Sequence, residues 1–213
     1  MKEPAAGEMK LKSLAAPGKT VIGLTGAIAS GKSLALKYFI EQGALGISAD
    51  EISSQVLTSR AFYNIILRRF GSTILTNGLL DKERLAAEVF SAPAQRKWLE
   101  SILHPEIFKR INSLIKKSHK KLVVVEAPLL FEAGLAGCFT FTVCVVAQEG
   151  EMLARAASRG WTRAQYKARR AAQLGAQEKR SRADITLENS GPPGGLKGRI
   201  ENLCRFLKAA GEK

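Results

Sequence analysis

Residues 20–33 read TVIGLTGAIASGKS, an apolar run through Val21, Ile22 and Leu24 that ends in Gly26-Ala27-Ile28-Ala29-Ser30-Gly31-Lys32-Ser33. The spacing G-x-x-x-x-G-K-[ST] is that of a phosphate-binding loop. A nucleotide's phosphate chain needs backbone N–H groups converging on its oxygens, a mobile point charge and a hydroxyl for a magnesium ion, and this spacing provides all three. Gly26 and Gly31 allow the backbone to curl around an anion, and a helix opening near Lys32 points its unsatisfied N–H groups at the phosphates. Lys32 is expected at the β- and γ-phosphates and Ser33 at Mg²⁺. After the loop Leu34, Ala35, Tyr38 and Phe39 recur at helical spacing and Gly43 stands as a stop, so the motif sits between a strand and a helix.

Further strands are expected at residues 44–50 (ALGISAD), 121–128 (KLVVVEAP), 139–147 (FTFTVCVVA) and 183–189 (ADITLEN). The lack of alternation in the second and third suggests burial on both faces, and strands separated by helices predict an α/β fold with a doubly wound parallel sheet. Asp50 falls at the carboxyl end of the first of these strands, the end that faces the ligand crevice in such a sheet. It reads either as a general base or as the N-cap of a following helix. Residues 60–117 carry a wholly helical pattern, broken at Gly71 and Asn77-Gly78 and resumed at Asp81, with His104-Pro105 at an expected helix boundary. His104 there reads as a cap, a packed side chain or a catalyst. Helices are expected at 149–159 and 163–178, meeting at Gly160, the second opened by the capping box Thr162-x-x-Gln165. Arg155 and Arg159 stand four apart, on one helical face, where two guanidinium groups could grip a phosphoryl group. Leu196, Ile200, Leu203 and Leu207 form the apolar stripe of a closing helix.

Composition sets the bounds. With 213 residues and 46% apolar side chains, the chain suits one globular core with insertions. No window of eighteen apolar residues suggests a membrane span, and residues 1–18 read as a flexible extension rather than a signal peptide. Cys138, Cys144 and Cys204 lack metal-ligand spacing and suit reduced thiols of a cytoplasmic protein. The net charge of +14 calls for an anionic partner, either nucleic acid or phosphorylated small molecules. Half of that excess lies between Glu151 and Arg182, where nine basic residues face two acidic ones.

The order of motifs resembles the dephospho-CoA kinase family. The stretches that carry the likeness are GLTGAIASGKS (23–33), AD at 49–50, NGLLDKERLAAEVFSAP (77–93), LHPEI (103–107), PLLFE (128–132), Arg155 with Arg159, Gln173 and AD-x-x-x-x-N (183–189). The resemblance implies transfer of the γ-phosphoryl of ATP to the ribose 3′-hydroxyl of 3′-dephospho-CoA, with Mg²⁺, by a cytoplasmic enzyme that binds neither nucleic acid nor membrane and is plausible as a monomer. It further implies a nucleotide core (19–59, 119–147 and 183–213), an acceptor-binding helical region (60–118) and a lid (148–182). By the same resemblance residues 26–34 of the loop bind nucleotide, Asp50 is the general base, Arg155 and Arg159 belong to the lid and Asn189 lies near the adenine. His104, Pro128, Leu129 and Glu132 would border the acceptor. Ala27 and Ala29 stand where the family usually has glycine, Leu34 where Thr is common, and Ser48 replaces the first Asp of an Asp-x-Asp pair. A kinase of the nucleoside monophosphate type shares the loop and an Arg-rich lid but not the LHP and 81–93 stretches. A nucleic-acid-binding NTPase has only the charge in its favour.

Overall fold

In the computed structural model the apolar runs pair as one wholly parallel sheet: β1 (Thr20–Gly26), β2 (Leu45–Ser48), β5 (Leu122–Glu126), β6 (Phe141–Val146) and β7 (Ile185–Glu188), in the order β2-β5-β1-β6-β7. The structure describes residues 13, 14, 16–191 and 194–210, so most of the expected N-terminal extension lies outside it. Leu14, within that expected extension, is buried and its N–H donates to the Cys138 carbonyl at 2.8 Å, so packing begins before residue 19.

The core strands lack alternation because helices cover both faces of the sheet. On one face α1 (Lys32–Glu41) contributes Ala35, Leu36 and Phe39, and α9 (Gly195–Ala210) contributes Leu196, Ile200 and Cys204, packed on Ile22, Leu24, Val124, Val143 and Val145. Each fully buried side chain of this size contributes about 1.5–3 kcal/mol. α8 (Ala176–Arg182) lies against β1 and β6. The chain leaves β1 toward β2 on one side and, from β5, crosses to β6 on the other. That reversal places a ligand crevice at the carboxyl end of β1, where the phosphate loop begins.

Two compact units emerge, one built on residues 13–48 and 114–210 and the other on 49–113. The second unit holds α2 (Ala49–Leu57), α3 (Arg60–Phe70), α4 (Lys82–Ser91) and most of α5 (Pro93–Lys117) around Ile66, Ile74, Leu85 and Val89. It is not wholly helical: β3 (Leu75–Thr76) and β4 (Leu79–Leu80) form a small antiparallel hairpin. Asn77 and Gly78, at φ 51° and 75°, close it as the two-residue loop such a dipeptide favours. Asp81 caps α4 by accepting from the N–H groups of Glu83 and Arg84. Contrary to the expected boundary, α5 continues through Pro105, whose ring faces solvent. Among the described residues no helix is long and apolar enough to cross a membrane.

Candidate active site

The phosphate loop is closed by contacts that explain its two required glycines. Gly26 (φ 151°) and Gly31 (φ 102°) lie where a side chain is strained, and each would meet a neighbour with its Cβ: the Val145 carbonyl oxygen at 2.3 Å and Asn189 Nδ2 at 2.1 Å, respectively. Ala29 also sits in the left-handed region, at φ 59°, which costs an alanine about 1 kcal/mol and accounts for the usual glycine there. Its methyl is compensated by burial with Ala27, Met152, Ala156 and Tyr166. Ile28 packs on the same cluster, whereas Leu34 in the first turn of α1 is 42% exposed.

Lys32 Nζ lies over the loop's own carbonyls, donating to Gly26 O at 3.2 Å and Ala27 O at 3.0 Å. Ser33 Oγ donates to Glu126 Oε1 at 3.1 Å. Glu126, only 8% exposed, ends β5 and stands in register with Leu24 of β1 and Ser48 of β2. Glu126 falls inside the expected strand 121–128 but has no part in the site expected from sequence; pairing of β5 directly with β1 is what brings it beside the loop. A hydroxyl and a buried carboxylate are hard oxygen donors of the kind that hold Mg²⁺ together with substrate phosphates. Among the described residues no cluster of three or more His, Cys, Asp or Glu side chains could hold a metal ion alone, so phosphate oxygens would complete the set.

The basic segment folds as α6 (Glu149–Ser158), α7 (Arg163–Ala171) and α8, with a break at 172–175 that the expected helix 163–178 did not contain. Thr162 and Gln165 form the expected capping box. Arg155 and Arg159 part company. Arg155 donates through Nη1 to Ser30 O at 3.2 Å and through Nη2 to Asn189 O at 2.8 Å, with Glu151 Oε2 at 3.4 Å. Arg159 instead closes α6 and lies 5.8 Å from the Trp161 ring centre, with Arg169 4.8 Å from the same ring. Asn189 joins Arg155 on the loop, its Nδ2 donating to Ser30 O at 2.7 Å.

In the stretch 128–132, Pro128 is half-buried, Leu129 is 42% exposed, and Leu130 and Phe131 are core. Glu132 Oε1 accepts from Leu174 N at 2.9 Å and from Lys179 Nζ at 2.9 Å, while its Oε2 is buried without a hydrogen-bond partner. Lys179 is fully buried and also donates to Pro128 O at 2.5 Å, so this pair ties α8 to the segment after β5. β2 ends at Ser48, and Asp50 is the second residue of α2, inside its first turn, rather than at a strand end or in the N-cap position. A carboxylate is favoured there by the helix dipole. His104 is half-buried in α5; burial holds its imidazole below the usual range against the opposing pull of Glu100, so it is neutral at pH 7. In the AD-x-x-x-x-N motif Asp184 is structural, accepting from Thr142 N at 2.7 Å and Thr142 Oγ1 at 2.8 Å.

Residues 20–193 match the family model described as dephospho-CoA kinase. The chain is 37% identical to a dephospho-CoA kinase of Deinococcus radiodurans over 88% of its own length and 92% of the relative's. It is 34% identical to one of a Synechococcus strain, covering 89% and 94%. The crystal structure of TT1252 from Thermus thermophilus superimposes with a TM-score of 0.81 at 32% identity, covering 89% of this chain and 98% of that one.

Proposed function

Because this chain belongs to the dephospho-CoA kinase family, we propose a division of labour among its own residues for that family's reaction. The enzyme phosphorylates dephospho-CoA with ATP, the final step of coenzyme A synthesis. The observation that carries the site assignment is the phosphate loop with Ser33 hydrogen-bonded to Glu126 at the carboxyl end of the sheet.

The 3′-hydroxyl oxygen attacks the γ-phosphorus, the bond from that phosphorus to the β–γ bridging oxygen breaks, and ADP leaves. Asp50 takes the hydroxyl proton as general base, a role supported by its place two residues after Ser48, the register partner of Glu126. Backbone N–H groups of residues 26–34 and the Lys32 ammonium hold the β- and γ-phosphates. Ser33 and Glu126 hold Mg²⁺, which when bound neutralises charge developing across the β–γ bridge. Arg155, held on Ser30 O beside the loop, adds its positive charge to the phosphate site, and Arg159 acts from the lid. Leu129, exposed beside buried neighbours, offers apolar surface to the acceptor with Pro128, and His104 of the helical unit is assigned to the acceptor on the family resemblance alone. Glu132, expected at the acceptor, is committed to Leu174 and Lys179 and supports that surface from behind. In this reading the protein acts in the cytoplasm on small-molecule substrates with no nucleic-acid partner, and is compatible with a monomer; three buried cysteines outside any disulfide are in keeping with a reducing compartment.

Coupled measurement of ADP formation with dephospho-CoA against a panel of nucleoside monophosphates tests the assignment. ADP should form only with dephospho-CoA; turnover with a nucleoside monophosphate in its place would overturn the acceptor reading.

A further inference from the structure

The Ser30–Gly31 peptide is a point of the loop where the glycine leaves the chain free to turn over. Gly31 at φ 102° has no side chain to resist a peptide flip, and Ala29 just before it is already held in a left-handed conformation. Across a trans peptide the C=O and N–H point in opposite directions, and no cis bond occurs among the described residues. Whatever fixes the Ser30 carbonyl therefore also aims the Gly31 N–H. Two donors fix it, Asn189 Nδ2 at 2.7 Å and Arg155 Nη1 at 3.2 Å. Asn189 is itself held at both ends of its backbone, its N–H donating to Val146 O at 2.7 Å and its carbonyl accepting from Arg155 Nη2 at 2.8 Å. The closeness is such that a Cβ at Gly31 would overlap Asn189 Nδ2.

We propose that Asn189 is a positioning residue for the phosphate loop: its carboxamide locks the Ser30–Gly31 peptide with the N–H turned toward the nucleotide's phosphates, so that it acts on the triphosphate and not on the base. The inference rests on the phosphate-loop reading of residues 26–33 and adds to it a residue from the far end of the sheet. Asn189 lies 159 positions beyond Ser30 in the chain, which is why no motif within the loop reveals it.

Affinities for inorganic tripolyphosphate, adenosine and ATP, measured by calorimetry on the full chain, decide the matter. Asn189→Ala and Asn189→Asp each remove the donor to Ser30 O; the aspartate keeps the shape. Both should weaken tripolyphosphate and ATP by the same factor, about tenfold, and leave adenosine affinity and the KM for dephospho-CoA unchanged. Unchanged tripolyphosphate affinity in either folded variant would overturn the proposal, as would a loss confined to ATP and adenosine, which is the signature of a contact with the base. Wild-type protein and Lys32→Ala serve as the reference. If wild type fails to bind tripolyphosphate, or Lys32→Ala binds it equally well, the phosphate-loop reading itself falls, an outcome distinct from failure of Asn189 alone.

Discussion

Asp50 and Glu126 are the two carboxylates to which the proposed chemistry assigns roles, and they differ in how visible they are in sequence. Asp50 is a candidate from sequence because an expected short strand ends on it, although the structure places it in the first turn of α2. Asp50→Asn removes the charge but keeps size and hydrogen-bonding capacity. It should lower kcat by at least about a hundredfold, with ATP and dephospho-CoA affinities within a few-fold of wild type; a merely helix-stabilising carboxylate would leave kcat intact. Glu126 was overlooked because its role depends on which strand lies beside β1, a fact that no local pattern encodes. Glu126→Gln keeps an acceptor for Ser33 Oγ and deletes the negative charge. The Mg²⁺ concentration for half-maximal turnover should rise about tenfold or more, read from a metal titration at saturating substrates; an unshifted titration would remove Glu126 from the metal site.

At the scale of elements, the strands and their parallel sense, though not their order, were readable from the apolar runs, as was the α9 stripe, because burial on both faces leaves an unmistakable composition. Element ends were less so. The Asn77-Gly78 turn was read as a helix break, since strands of two residues give no periodicity to detect. Pro105 is an expected boundary, yet α5 runs on through it at a position where the carbonyl left without an N–H partner faces the exposed side of the helix. The break between α7 and α8 follows from a tertiary demand: Leu174 N is claimed by Glu132, and Lys179 must reach Glu132 and the Pro128 carbonyl. Lys179→Met should therefore strand a buried carboxylate and cost about 3–5 kcal/mol, lowering the melting temperature by on the order of 10 °C. Glu132→Leu combined with Lys179→Met should recover most of that loss, since a buried pair replaced by apolar groups is often neutral. Thermal unfolding of the single and double variants checks both statements, and equal losses in the two would mean that the ion pair is not the tie.

For the whole molecule, charge and acid sensitivity are governed by few groups. Besides Lys179, four of the nine basic residues between Glu151 and Arg182 are paired locally, Arg155 with Glu151, Arg170 with Glu149, Arg180 with Glu188 and Arg182 with Glu178. Hydrogen bonds from Thr142 hold the Asp184 carboxyl below the usual carboxylate range, joining β6 to the start of β7, and Thr76 does the same for Asp81. A group depressed in the folded state stabilises fully above its unfolded value near 3.8, and that contribution disappears as pH falls through the lower folded value. Stability should thus drop steeply below about pH 4, and Asp184→Asn should flatten the dependence of melting temperature on pH between about 5 and 3. An identical slope would show that Asp184 is not among the controlling groups. The buried cysteines carry one more consequence. Substrate and product of this enzyme end in a thiol, and the disulfide that this thiol forms on oxidation is attacked by exposed protein thiolates to give mixed disulfides, with release of one thiol. Burial raises Cys138 and Cys204 and pushes Cys144 up to about 11, so at neutral pH roughly one Cys144 in ten thousand is ionised. Working in a pool of its own product, the enzyme is thereby protected from S-thiolation by the molecule it makes.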